Sequence, residues 1–260
     1  MNMNSQLIKY ENRYDGQVKA ILLNSPPSNV LTAKMIAEIQ AALADSEKDA
    51  ATKLVIIGSV GQNFSFGASV EEHLPEKVGG MLPAFHRMIG DLIGCKVPTL
   101  AQVQGFCLGG GFELALACGF IFADPNAKFA VPEIHLGVFP PVAAALLPFL
   151  GGGFMSQQMI LTGERAGAAE LMQAGLVTKV CDTGGLDAAV AAFIDKCILP
   201  KSASSLRIAN QASRMTLADH YSQWISKLES LYLADLMSTH DAVEGIRAFT
   251  EKRQPKWTGN

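Results

Sequence analysis

The sequence predicts an α/β fold. Short apolar, β-branched runs alternate with helix-spaced segments up to about residue 182. Glycine-bearing turns join several of these runs to the helices that follow. Beyond about residue 185 the strand signal vanishes and only helical patterns remain.

The elements follow in order. Leu7–Glu11 and Val18–Leu23 read as a hairpin, with Asp15 and Gly16 in the turn. Residues 24–29, NSPPSN, read as a loop. Thr32 is placed to cap a helix whose apolar positions Met35, Ile36, Ile39 and Leu43 recur at helical spacing. Lys53–Ser59 reads as a buried strand, followed by a glycine-containing loop and a helix near Pro83–Ile93. Pro98–Val103 is a further buried strand. Gly109-Gly110-Gly111 leads into a helix over Phe112–Cys118, and Phe120–Ala123 is again a strand. Ala188–Ile198, Ser204–Ala212, Ala218–Asp235 and Asp241–Glu251 read as helices. Pro200 and the serines at 202, 204 and 205 interrupt the pattern, which puts a boundary near 195–200. Residues 1–197 then form a core bearing the active site, and 198–260 an amphipathic helical region that docks on the core or on another subunit.

Composition narrows the function. A chain of 260 residues, 49% hydrophobic and 17% charged, can bury a sizeable core. With a net charge of −3 and no basic run, broad capture of nucleic acid or of an anionic membrane is not expected. Five scattered cysteines without a CxxC read as reduced, mostly buried small hydrophobes of a cytoplasmic protein. The start, MNMNSQLIKYENR, has no apolar leader core. Four prolines and a glycine run within residues 129–163 argue against a membrane span there.

Two isolated carboxylates carry the chemistry. Glu113 is the sole formal charge between Lys96 and Asp124, and Glu133 the sole one between Lys128 and Glu164. A buried, ionised carboxylate is costly unless it is hydrogen-bonded, paired or used. Two of them, twenty residues apart, suggest an acid/base pair facing one cleft; two surface glutamates flanking core segments are the plainer alternative. Gly109–Gly111 precedes a helix start, where backbone N–H groups lack internal partners. Ser69 and Glu72 have capping-box spacing, which leaves the Ala68 amide beside a turn. Two such amides aimed at one point would hold a developing oxyanion. An oxyanion hole and two carboxylates suit water addition to an α,β-unsaturated thioester. Either turn alone is equally an ordinary strand-to-helix connection.

Other residues weigh less. His73 and His86 flank a segment, Pro75–Gly80, expected to be mobile, and either could line a pocket. His135 reads as packed or surface, with substrate contact the alternative. His220 and His240 read as helix-surface residues. Ser65 is a minor candidate nucleophile without a placeable His–Asp partner. No spacing suggests a metal site, a P-loop or a dinucleotide fingerprint, so no metal or redox cofactor is expected.

Several segments, in this order, carry a resemblance over nearly the whole chain. They are Leu23-Asn24-x-Pro26, Asn63–Glu72, and Val103-x-Gly105-x-Cys107-x-Gly109-Gly110-Gly111-Phe112-Glu113-Leu114-Ala115. Phe129-Ala130-x-Pro132-Glu133-Ile134-x-Leu136-Gly137 follows, then Leu161–Arg165, Ala174–Val177 and Glu244–Arg253. On these the chain resembles the crotonase (enoyl-CoA hydratase/isomerase) superfamily. The resemblance implies a spiral of ββα units, a C-terminal helical trimerisation region giving a homotrimer or homohexamer, and a coenzyme A thioester substrate. It implies oxyanion-hole amides at Ala68 and Gly110, and catalysis by Glu113 and Glu133. It places Phe66, Gly67, Ser69, Val70, Pro132 and Pro141 at the substrate. It puts Phe249 and Lys252 where relatives contact the nucleotide end of CoA across a subunit interface.

Two departures stand out. Ser69 replaces the family's aspartate after Gly-Ala and keeps its capping potential. Pro140-Pro141-Val142-Ala143-Ala144-Ala145 stands where many simple hydratases read Pro-Gly-Ala-Gly-Gly-Thr. This predicts a bulkier, apolar pocket wall lined by residues 141–145. The segment is most similar to cyclohexa-1,5-diene-1-carbonyl-CoA hydratases of anaerobic aromatic degradation. The expectation is therefore a hydro-lyase acting on a cyclic dienoyl-CoA. A straight-chain enoyl-CoA hydratase, an enoyl-CoA isomerase or ring hydrolase, and a non-catalytic CoA- or protein-binding member of the fold are the alternatives.

Overall fold

A computed structural model describes residues 7–260; residues 1–6, which open the stretch read as lacking a leader core, lie outside the described residues. The hairpin forms from β1 (Ile8–Arg13) and β2 (Val18–Leu23), paired antiparallel with Arg13 opposite Val18. Tyr14, Asp15 and Gly16 take positive φ in the turn between them. α1 (Ala33–Lys48) starts at Thr32, whose side chain accepts from the Met35 N–H, and buries Met35, Ile36, Ile39 and Leu43.

From β3 (Leu54–Ser59) the chain winds as a spiral. After β3 comes α2 (Pro75–Ile93); then β4 (Thr99–Val103), β5 (Phe106–Leu108) and α3 (Gly110–Leu116). The next turn is β6 (Phe120–Ala123), β7 (Lys128–Ala130) and α4 (Pro141–Leu150). The β4 and β6 turns each send their first strand to a six-stranded sheet of order β1-β2-β3-β4-β6-β9, with β9 at Lys179–Val180, and their second to a smaller sheet of order β5-β7-β8, with β8 at Ala166–Gly167. Following α4 come α5 (Gly153–Thr162), β8 (Ala166–Gly167), α6 (Ala168–Gln173) and β9 (Lys179–Val180). β2, β3, β4, β6 and β9 run parallel. Parallel strands covered on both faces need no polar alternation, and β3 is buried almost throughout. The period of two still sorts the side chains. Ile21, Val55, Ile57 and Ala101 join the main core beneath α1 and α2. Ala20, Leu54, Ile56 and Leu100 join a second core beneath α7 (Leu186–Phe193).

The structure corrects three expectations. α2 starts at Pro75 and not near Pro83, so Pro75–Gly80 is its first turns and not a loose segment. Pro75 occupies the first helical position, where a missing N–H goes unnoticed. Pro83 lies inside the helix, and the buried face of Val78, Met81, Leu82 and Phe85 outweighs its penalty. The capping box does not form: Ser69 makes no side-chain cap, and Glu72 instead accepts from the Ala33 N–H of α1.

The third correction concerns the C-terminal helices. Ser204–Ala212 and Ala218–Asp235 are one helix, α8 (Ala203–Ser230), continued by a π-helical stretch Leu231–Asp235. It docks on α2 and α4 of its own chain, with Leu217 and Tyr221 entering the main core. Much of its grip is polar. Arg207 donates to the Glu47 carbonyl in the last turn of α1 and to the Asp49 carbonyl just past it. Asn210 donates to the Cys95 and Lys96 carbonyls just past α2. Arg214 donates to Ile93 at the end of α2 and Ala117 at the end of α3. Spaced three and four apart, these side chains share one face and satisfy carbonyls that helix ends leave unpaired.

Candidate active site

Three consecutive glycines open the site. Gly109 has φ +50°, and a Cβ there would lie 2.5 Å from Glu133 Oε1. One at Gly110 would lie 3.1 Å from the Ala68 nitrogen, and one at Gly111 2.7 Å from Ser65 Cβ. Each glycine thus admits a different neighbour. Gly67, at φ +97°, closes the contact from the other side, where a Cβ would meet the Gly110 nitrogen at 3.2 Å.

Ser65 builds this arrangement and is no nucleophile. It is fully buried, its hydroxyl donates to the Asn29 carbonyl at 2.8 Å, and the same oxygen accepts from the Gly67 N–H. Its backbone pairs with Phe106 and Leu108, flanking Cys107 of β5. The Ala68 and Gly110 segments are thereby held side by side. Among the described residues neither amide N–H has an acceptor within the chain. Two unpaired donors lie together at the wall of one cavity.

Glu113 sits in the first turn of α3 and is 4% exposed. Its Oε1 accepts from the Ala143 N–H at 2.7 Å, in the first turn of α4. The carboxylate therefore caps a helix other than its own, and the positive end of that helix favours its charge. Burial opposes this more strongly, and the Glu113 carboxyl is pushed up to about 7. Pro141 is the first residue of α4, so its missing N–H removes no bond that the helix would make. Val142, Ala143 and Ala145 are buried in the core and Ala144 is half-buried; none of the four lines the cavity, contrary to the expectation for this segment. Their contribution is the backbone amide held against Glu113.

Glu133 lies in the 3-10 turn Pro132–Leu136 that follows β7. Its Oε2 is buried without a hydrogen-bond partner. Burial first, and the nearby Glu113 second, hold its carboxyl well above the usual range. Both groups face a cavity of about 420 Å³.

Of the other candidates, Phe66, Gly67, Val70, Pro132, Pro141 and Phe249 line this cavity, as do His73 and His135. Ser69 and Lys252 lie off its wall. His73 Nδ1 donates to the Ser69 carbonyl. His86 faces α8 instead, bonded to Glu229 at 2.6 Å. His220 is not a free surface residue: it stacks on Phe149 and donates to the Ala145 carbonyl. His240, paired with Asp241, is at the surface as expected. Phe85 and Phe139 also line the cavity and were not singled out from the sequence; their helical and loop spacing resembles that of any core residue. The cysteines are free, four of them buried. Among the described residues no group of His, Cys, Asp or Glu could hold a metal ion, and no helix is long and apolar enough to cross a membrane.

Comparison with known proteins adds to this geometry. A family model described as enoyl-CoA hydratase/isomerase matches residues 13–260. The chain is 39% identical over 243 residues to a cyclohexa-1,5-dienecarbonyl-CoA hydratase of Thauera aromatica, covering 94% of this chain and 93% of that protein. It is 30% identical over 254 residues to a carnitinyl-CoA dehydratase of Escherichia coli O157:H7, covering 94% and 96%. A crystal structure of an enoyl-CoA hydratase from Mycobacterium avium subsp. paratuberculosis K-10 superposes with a TM-score of 0.85 at 29% identity, covering 97% of this chain and 98% of that one.

Proposed function

The chain belongs to the enoyl-CoA hydratase/isomerase family, and from that premise we propose that it adds water reversibly to a cyclic dienoyl-CoA, cyclohexa-1,5-diene-1-carbonyl-CoA. The observation that carries the chemistry is the meeting of Glu113, Glu133 and the free Ala68 and Gly110 amides at one cavity.

In this reading the thioester oxygen lies against the Ala68 and Gly110 N–H groups. Glu113, held by the Ala143 amide, is the carboxylate that ionises first. It takes a proton from water as the water oxygen bonds to the electrophilic carbon of the conjugated system. The electron pair of the double bond moves onto the thioester oxygen, where the two amides stabilise the enolate. Glu133, its Oε2 without a partner and its carboxyl held high by burial and by Glu113, stays protonated and gives its proton to carbon as the enolate collapses. Exchange with solvent returns the proton from Glu113 to Glu133. The product is a hydroxycyclohexene-carbonyl-CoA, reached without a metal or redox cofactor.

The acyl group is argued from the walls. Phe66, Phe85, Phe139, Pro140 and Pro141 give the cavity flat, apolar and stiff sides. A rigid ring loses little conformational entropy on entering such a slot. The Thauera relative, named for this dienoyl-CoA, supports the same substrate. Phe249, 58% exposed at the cavity wall, and Lys252 beyond it would meet the CoA portion. We place the enzyme in the cytoplasm, in anaerobic aromatic degradation, as a trimer or hexamer assembled through the region from 198 to 260. The test is a panel of CoA esters. The cyclic dienoyl-CoA should exceed crotonyl-CoA by at least about tenfold in kcat/KM, or roughly 1.4 kcal/mol. Equal or better turnover of crotonyl-CoA overturns the cyclic substrate and leaves the hydratase reading in place.

A further inference from the structure

The chain after α9 (His240–Thr250) does not run free. It folds back along that helix and is tied to it through Glu244 and Asp241. Arg253 donates to both carboxylate oxygens of Glu244, at 2.6 and 2.8 Å. The Lys256 N–H donates to the same Glu244. Asp241 then accepts from the Thr258 N–H, the Thr258 hydroxyl and the Gly259 N–H, at 2.8, 2.9 and 2.8 Å. The Asp241 N–H in turn donates to the Asn260 carbonyl.

These ties lay one side chain over the Glu133 turn. Gly137, at φ +71°, ends that turn, and a Cβ there would lie 3.1 Å from Trp257 Cζ3. A Cβ at Gly245 of α9 would lie 2.8 Å from Trp257 Cη2. At Gly245 the Leu136 backbone is nearer still, so α9 packs directly on the Glu133 turn, and the half-exposed indole lies against both glycines at the edge of that contact. Arg253 and Pro255 of the same segment line the catalytic cavity itself. The Val138 N–H donates to the Glu133 carbonyl, so a shift of the turn at Gly137 is passed directly to Glu133.

We propose that Trp257, tied in place through Asp241 and Glu244, is a positioning residue that fixes the Glu133-bearing turn. This rests on the reading of Glu133 as the proton donor. A displaced acid loses rate steeply, since about 1 Å of misplacement can cost roughly a hundredfold.

The experiment uses the full chain with the cyclic dienoyl-CoA. Trp257→Ala should lower kcat roughly ten- to a hundredfold while changing KM by less than about threefold. Trp257→Phe, which keeps a flat ring, should recover most of kcat. Asp241→Asn, which loosens the ties without touching the core, should lower kcat in the same direction and serves where Trp257→Ala does not fold. Glu133→Gln is measured alongside. A folded Trp257→Ala or Asp241→Asn protein with wild-type kcat, beside an impaired Glu133→Gln, overturns the positioning role alone, and a lower melting temperature with unchanged kcat marks Trp257 as structural only. A Glu133→Gln protein with wild-type turnover overturns the proton-donor reading and this inference with it.

Discussion

Replacing Glu113 by glutamine should make the protein more stable at alkaline pH while it destroys turnover. Burial holds the carboxyl at about 7 in the folded chain, against 4.5 for an ordinary glutamate. The folded state therefore binds more protons than the unfolded state between those values. Stability falls as pH rises through that window and has lost its full amount above about pH 7. At roughly 1.4 kcal/mol per pH unit, the loss is about 3 kcal/mol. Glutamine carries no charge to desolvate and keeps an oxygen for the Ala143 N–H. Its own NH₂ is left in a buried place without a partner, which offsets roughly 1 kcal/mol of the gain. The variant should thus be more stable than wild type by about 2 kcal/mol at pH 8.5 and slightly less stable at pH 4.5. Urea unfolding followed by circular dichroism at both pH values, at one protein concentration, reads the difference directly. A stability difference that is the same at both pH values would refute the buried, high-pKa account of Glu113.

Two further substitutions probe the frame around the pair. Ala68→Pro deletes one of the two unpaired amides and should lower kcat by about 10²–10³ with the fold intact by crystallography; unchanged turnover in a folded variant removes Ala68 from the oxyanion hole. Arg214→Met takes away the donors to the Ile93 and Ala117 carbonyls and should destabilise the chain by roughly 2 kcal/mol, seen in denaturant unfolding, whereas a neutral effect would make the Arg214 contacts incidental. Sedimentation at micromolar concentration should show a trimer or hexamer, and a fully active monomer would contradict the assembly proposed for the region after 198.

Much of the site was legible because its residues break local patterns. A lone carboxylate in an apolar, glycine-rich stretch has few reasons to exist, and Glu113 and Glu133 both stood out on that ground. The glycines at 109–111 announced a close approach, though not that three different neighbours, Glu133, Ala68 and Ser65, each claim one of them. What escaped the sequence was chemistry done by the backbone or by residues that look like ordinary surface. The Pro-Pro-Val-Ala segment reads as added bulk, yet its Ala143 N–H is what holds Glu113, and no side-chain pattern marks a backbone donor. The stripe Arg207, Asn210 and Arg214 was not singled out, because a side chain that caps a distant helix leaves no local period. The Ser69 to Glu72 spacing fitted a capping box, but Glu72 found a stronger claim at the start of α1, thirty-nine residues away in sequence.

Two carboxyl groups with divided tasks stand at the centre of the mechanism, and turnover of the cyclic dienoyl-CoA by Glu113→Gln and Glu133→Gln tests them most directly. Both variants should bind the CoA ester with near wild-type affinity and each should lose about 10²–10⁴ in kcat, the scale of a lost general base or acid. Near wild-type hydration by either folded variant would contradict the paired mechanism and remove that glutamate from it.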